Sequence, residues 1–524
     1  MKALRRSSRA SRALVPAALF GSLLSACSSA PPPSRPGPAA PPPAEAPSPA
    51  DPRYSALPKP PPQATWAPPS PEHFALENGL KVTYLKQGPT PLVSIQLVVP
   101  RGSATDPAGK AGVTYLLADM LDEGAGKRTA LELSDELGRL ATDYSASAGV
   151  DYVRLGMNLL AENLDESVAL LGDIVRRPRL PKDEFERRKA HFIAEAIASE
   201  AQPRKTLGTA VHRALFGSGY AGDAPEGDRK TLAAVDYATL KNHYKTLIAP
   251  EGTEIIVVGG VDRARVQAAL EKTFGDWTGK SQAKNRPVAE PTAAHPIYVV
   301  NYGGAAQSAL TIAHRSGGAL DPDYFRDLVY NWPIGDAFTS RINMNLREDK
   351  GYTYGAGSDF RRYREAGYFG VSTSVRTDVT RASIDEILRE LGEVCQTRPL
   401  SDAERNDAVN GLLLGYPAQF ERIDAVSLRF ASIPIFGRPL DFWQTWPLKV
   451  EAVTTADANA SAKQNCDPRA FTIVIAGDKA AIQASLDGLG RDVVELDRQG
   501  HPVKTGEDKA GEPDKGKAAG ERGN

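Results

Sequence analysis

From residue 71 onward, apolar residues follow two recurring rhythms. Runs at 80–85, 92–99, 152–157 and 255–258 are short, rich in β-branched residues or bounded by Pro and Gly, as buried strands are. Between them, apolar residues recur at helical spacing over 111–121, 130–140, 164–176, 182–200 and 233–247. Strands with helices packed on one face predict an α+β class with mostly antiparallel sheets.

The pattern then repeats. Pro250 is followed nine residues later by Gly259, and Pro468 nine residues later by Gly477, each pair enclosing a β-branched run; the two copies stand 218 apart. Upstream, the strand ending near Val99 leads to Asp106-Pro107, and the strand ending near Ala313 leads to Asp321-Pro322, an offset of 215. Two echoes at nearly one offset predict two homologous domains, 71–280 and 295–503, joined by a polar linker at 281–294.

Outside these domains the patterning disappears. Eighteen of the 41 prolines lie between Pro31 and Pro71, so residues 28–70 have almost nothing to bury and are expected to form an extended tether. Residues 504–524 mix Lys, Glu, Asp and Gly and are expected to form a solvated tail. The N-terminus carries Lys2, Arg5, Arg6, Arg9 and Arg12, then an apolar stretch at 13–24 ending in Leu24-Ser25-Ala26-Cys27. This resembles a bacterial lipoprotein signal, with Cys27 as the acylated residue and the membrane touched through that anchor alone. Ser28 after the cysteine is similar to Gram-negative lipoproteins of the outer membrane, implying a location on its periplasmic side. The net charge of -1 argues against nucleic acid as a partner. Three cysteines make neither a disulfide framework nor a four-cysteine zinc site. Cys395 and Cys466 are placed at helix ends, where a disulfide or two buried thiols are both open.

The helix at 111–121 puts Val113, Leu116, Leu117, Met120 and Leu121 on one face, with Tyr115 and Asp119 together on the other. The stretch Ala111-Gly112-Val-Thr-Tyr115-Leu-Leu-Ala118-Asp119-Met120 resembles the zinc helix of the pitrilysin/insulinase superfamily, in its mitochondrial-processing-peptidase-like branch. That helix normally carries His-x-x-Glu-His. Here Tyr115 stands for the first His, Ala118 for the general-base Glu and Asp119 for the second His. A catalytic zinc needs three protein ligands and an open position for water. A phenol is a poor ligand, one carboxylate does not hold zinc, and alanine moves no proton. Glu195 lies near the register of the family's third ligand, and a lone helical Glu is more often simply solvated. No two of the seven histidines are three to five residues apart. No metal is expected in this chain.

The second domain keeps a different motif. Gly335-Asp336-Ala-Phe338-Thr-Ser340-Arg341, followed by Leu346-Arg347-Glu348 and Gly351-Tyr352-Thr353-Tyr354, resembles the family's G-G-x-x-S-R-L…L-R-E…G-x-x-Y, departing at Asp336. The resemblance implies that Arg347 and Tyr354 contact substrate near the scissile carbonyl, a permanent donor beside a neutral one. The alternative is an Arg347–Glu348 pair and a half-buried Tyr354. The resemblance also implies a division of labour. One chain would carry zinc and its partner, lacking zinc, would supply the Arg/Tyr pair, the two closing like a clamshell on an unfolded peptide. This sequence has the partner's pattern, so the expected function is the non-catalytic subunit of a heterodimeric zinc metalloendopeptidase, with zinc in a sister chain. A stand-alone peptide-binding protein and a scaffold with a decayed site are the alternatives.

Overall fold

The computed structural model describes residues 66–290 and 295–503. Cys27, most of the tether and the charged tail lie outside the described residues. Strands β1 (Glu72–Ala75), β2 (Lys81–Lys86), β3 (Leu92–Val99), β4 (Asp143–Ala148), β5 (Val153–Leu160) and β6 (Glu254–Gly259) form one sheet. Strands β7 (Ile297–Asn301), β8 (Gln307–Ser316), β9 (Thr353–Arg362), β10 (Gly367–Arg376), β11 (Thr472–Gly477) and β12 (Val493–Leu496) form a second. The orders are β1-β2-β6-β3-β5-β4 and β12-β7-β11-β8-β10-β9. Removing the outermost β1 and β12 leaves identical orders, so the repeat read from the sequence is a repeat of topology. Antiparallel pairs predominate, with β2–β6, β7–β11 and β7–β12 parallel. The class is α+β, with two domains that each hold a mixed six-stranded sheet and helices.

Two helix expectations change. The run at 233–247 is two helices, Arg229–Ala234 and Tyr237–Leu247, because the Asp236 carboxylate caps the second by accepting from the Thr239 amide at 2.7 Å. The pattern assigns no element to the helix Pro203–Phe216, which follows Lys182–Glu200 after two residues and buries Leu207, Ala210, Val211 and Leu215.

That missed helix alters the architecture. In β8 and β11 the residues alternate between two buried faces. Leu310, Ile312, Ile473 and Ile475 face the C-terminal core, while Ala309, Ala313, Val474 and Ala476 face Leu207, Ala210 and Val211 of Pro203–Phe216. The small residues let the helix axis approach the sheet. The counterpart in the second half, Ile423–Phe436, packs on β3 and β6 of the first sheet. Both helices end in Phe followed by a glycine of positive φ, 66° at Gly217 and 68° at Gly437. Each sheet is thus covered on one face by its own helices and on the other by a helix from the opposite half, correcting the expectation of one covered face. The exchange also explains Ser94 and Gln96, two polar positions within the buried strand β3. Both are buried against Ser427, whose hydroxyl lies 2.9 Å from Ser94 Oγ and 3.2 Å from Gln96 Nε2. The described residues therefore form one unit rather than two separable ones.

The last residues of the proline-rich stretch are held by the C-terminal half. Trp66 packs against Tyr416 and Phe420, with ring centres 5.8 and 5.4 Å apart, and Gln444 donates to the Pro69 carbonyl at 2.9 Å. Cys395 and Cys466, left open by the sequence, form a disulfide with Cα atoms 6.3 Å apart, tying the end of Thr380–Glu393 to the end of Thr455–Gln464. The bridge spans 71 residues, and replacing both cysteines with alanine is expected to cost about 2–4 kcal/mol of stability in denaturant unfolding. Both thiols should become alkylatable only after reduction; labelling without reductant would refute the bridge.

Candidate functional site

Tyr115, Ala118 and Asp119 sit on the helix Val113–Met120, whose apolar face belongs to the N-terminal core. The helix is anchored by Asp106, which is buried and accepts from the Gly112 amide at 2.8 Å and the Thr114 amide at 3.2 Å. The long helix Lys182–Glu200 lies against it and presents Arg188, Phe192 and Glu195 at i, i+4 and i+7.

The residues at the two expected ligand positions have other partners. Asp119 receives a two-pronged hydrogen bond from Arg188 Nε and Nη2. The Arg188 guanidinium also lies 5.5 Å from the Phe192 ring centre, and Tyr115 meets that ring edge-on at 5.6 Å. Burial pushes the Tyr115 phenol above its ordinary value of 10.0, and the negative charges of Glu226, Glu195 and Asp119 add to the shift. Tyr115 therefore stays protonated. Ala118 is buried and offers no proton acceptor. Glu195 is mostly exposed and contacts His191 Nε2 at 3.2 Å. Among the described residues, no group of three or more His, Cys, Asp or Glu side chains could hold a metal ion.

In the second half, the motif divides into buried anchors and projecting groups. Gly335 lies so close to β9 that a Cβ there would be 2.1 Å from Ser358 Oγ, whereas the departure at Asp336 falls on an exposed position that tolerates a side chain. Ser340 and Leu346 are buried. Arg341 grips Glu404 with two bonds of 2.7 and 2.8 Å and donates to the Arg398 carbonyl at 2.6 Å. Asn343 donates to the Phe338 carbonyl at 2.6 Å and accepts from the Ala356 amide at 3.1 Å, stitching the segment to β9. Gly351, with φ of +62°, makes the turn into that edge strand.

These anchors leave Arg347 and Tyr354 facing outward. Tyr354 is 93% exposed, which excludes the half-buried strand role. Arg347 does pair with Glu348, at 3.2 Å, but the two side chains are 36% and 47% exposed and such a pair contributes little to stability. Its guanidinium also rests 4.6 Å from the ring centre of Phe338, itself 64% exposed.

Two family models match consecutive stretches of the chain: "Insulinase (Peptidase family M16)" over residues 81–224 and "Peptidase M16 inactive domain" over 234–412. The chain belongs to the peptidase M16 family. Within it, the Bacillus subtilis protein named uncharacterized zinc protease YmxG is 21% identical over 297 residues, covering 56% of this chain and 71% of its own length. The Helicobacter pylori protein named non-peptidase homolog YmxG is 21% identical over 405 residues, covering 76% of this chain and 92% of its own. A crystal structure of a peptidase M16 inactive domain from Pseudomonas fluorescens shares the fold at a TM-score of 0.72 and 22% identity, covering 78% of this chain and 98% of that one.

An M16 zinc ion does not fit the residues present here. Tyr115 keeps its proton, Ala118 cannot activate water, and Asp119 faces a cation. Two contributors escaped sequence reasoning. Arg188 stands two turns before Glu195 on one helical stripe, so a basic residue there, with an acid at 119, was the available signal. Phe338 occupies a variable position of the motif and carried none.

Proposed function

We propose that this M16 chain is the non-catalytic subunit of a heterodimeric zinc metalloendopeptidase of the mitochondrial-processing-peptidase-like kind. It supplies half of a clamshell chamber and an Arg347/Tyr354 clamp to a zinc-bearing sister chain that cleaves unfolded peptides. One observation carries this reading. The motif's buried residues leave Tyr354 exposed and Arg347 partly exposed at the surface, while the degenerate zinc position is closed by an ion pair. A guanidinium and a phenol so presented can donate to a carbonyl oxygen as negative charge develops on it. The disulfide suits an oxidising compartment, which supports placing the chain on the periplasmic side, tethered by lipid at Cys27 to the outer membrane.

The test is reconstitution. Purified alone, the chain should leave a quenched unfolded peptide intact. Mixed with a His-x-x-Glu-His sister chain, it should raise cleavage, and a zinc chelator should stop it. Chelator-sensitive cleavage by this chain alone, or a sister equally active without it, would overturn the proposal.

A further inference from the structure

The degenerate site is not merely short of ligands; it already holds a cation. Arg188 lies between the two helices that would embrace a metal, and both Asp119 oxygens accept from its Nε and Nη2. The Arg188 side chain is 23% exposed. Phe192 lies on one side and Glu123 is 3.9 Å away. Tyr115 packs against the same phenyl ring, so the cation and its enclosure form one cluster.

A guanidinium remains charged at any pH a protein survives. Held by a two-pronged bond, it is a fixed positive charge and repels a divalent cation at short range. It also does mechanically what a metal does, joining one helix to the other through a shared carboxylate.

We propose that Arg188, held by Asp119, is the resident cation of this site, in the place a metal would take, and that it excludes divalent metal even where a histidine is restored at position 115. This goes beyond the subunit role above and holds whether or not a sister chain exists. Sequence repair of the motif would therefore fail by itself.

The experiment compares two forms of the full chain. One carries Tyr115→His and Ala118→Glu with Asp119, a carboxylate ligand in its own right, and Arg188 both retained; the other adds Arg188→Gln. Zinc is titrated into each against a chromophoric chelator, and bound metal is counted by elemental analysis. The form lacking Arg188 should bind one zinc about 100-fold more tightly than the form retaining it. Equal affinity, including no binding by either form, would overturn the proposal. Because the repaired forms could misfold, the pairing is also read in the native background by thermal unfolding of Arg188→Gln, Asp119→Asn and the double variant. Each single change should lower the melting temperature, and the double no further than the worse single. Additive losses would show that Arg188 does not act through Asp119, which also overturns it.

Discussion

Under the proposed subunit role, Arg347→Ala in a reconstituted pair with a zinc-bearing sister chain is expected to lower turnover about 100- to 1000-fold, the usual loss on removing one donor to a developing oxyanion. The effect should fall on kcat more than on KM, because the donor matters most once charge has built up on the carbonyl. Arg347→Lys should recover only part of the loss, since an ammonium keeps the charge but not the planar fork. Stability provides the control. Arg347's polar and aromatic partners are the solvent-exposed Glu348 and the exposed Phe338 ring, so thermal unfolding of the alanine variant should match the parent within about 1 kcal/mol. A large fall in stability with a matching loss of rate would make Arg347 a structural residue. An unchanged rate would remove it from the clamp.

The second large effect belongs to the exchanged helices. Phe430 lies in Ile423–Phe436, is 1% exposed, and belongs to the cluster joining the C-terminal core to Val98, Ile256 and Val258 of the first sheet. Phe430→Ala should cost about 3–5 kcal/mol through lost burial and the cavity left behind. The decisive feature is cooperativity. Since each half covers the other's sheet, the variant should still melt in a single transition, shifted downward, when followed by calorimetry. Two transitions, with only one of them moved, would mean that the halves fold independently.

Much of this architecture is legible in the sequence. The strand over 92–99 and the helices over 164–176 and 182–200 have the bounds the pattern predicts, because long periodic segments outweigh local exceptions. The two-fold repeat is equally plain, since equivalent strands need equivalent β-branched runs. The misses have physical causes. Pro203–Phe216 buries Leu207, Ala210 and Val211 against Ala309, Ala313 and Ala476 far along the chain, a placement that no local pattern reports. The strand over 92–99 is buried as its pattern predicts, but the partner that satisfies its Ser94 and Gln96, Ser427, lies 333 and 331 residues away, beyond any local signal.

The candidate site divides in the same way. Sequence alone determined that Tyr115, Ala118 and Asp119 cannot assemble a catalytic zinc centre, because ligation and proton transfer depend on residue type. It also singled out Arg347 and Tyr354, because their spacing within a long motif is specific. Tertiary structure decided which groups are available. Anchors at Ser340, Arg341 and Leu346 leave Tyr354 exposed and Arg347 partly exposed, the two thiols meet as a bridge, and a guanidinium from a second helix occupies Asp119. Residue type fixes what a side chain can do, but its partners come from distant parts of the chain, and only packing brings those together.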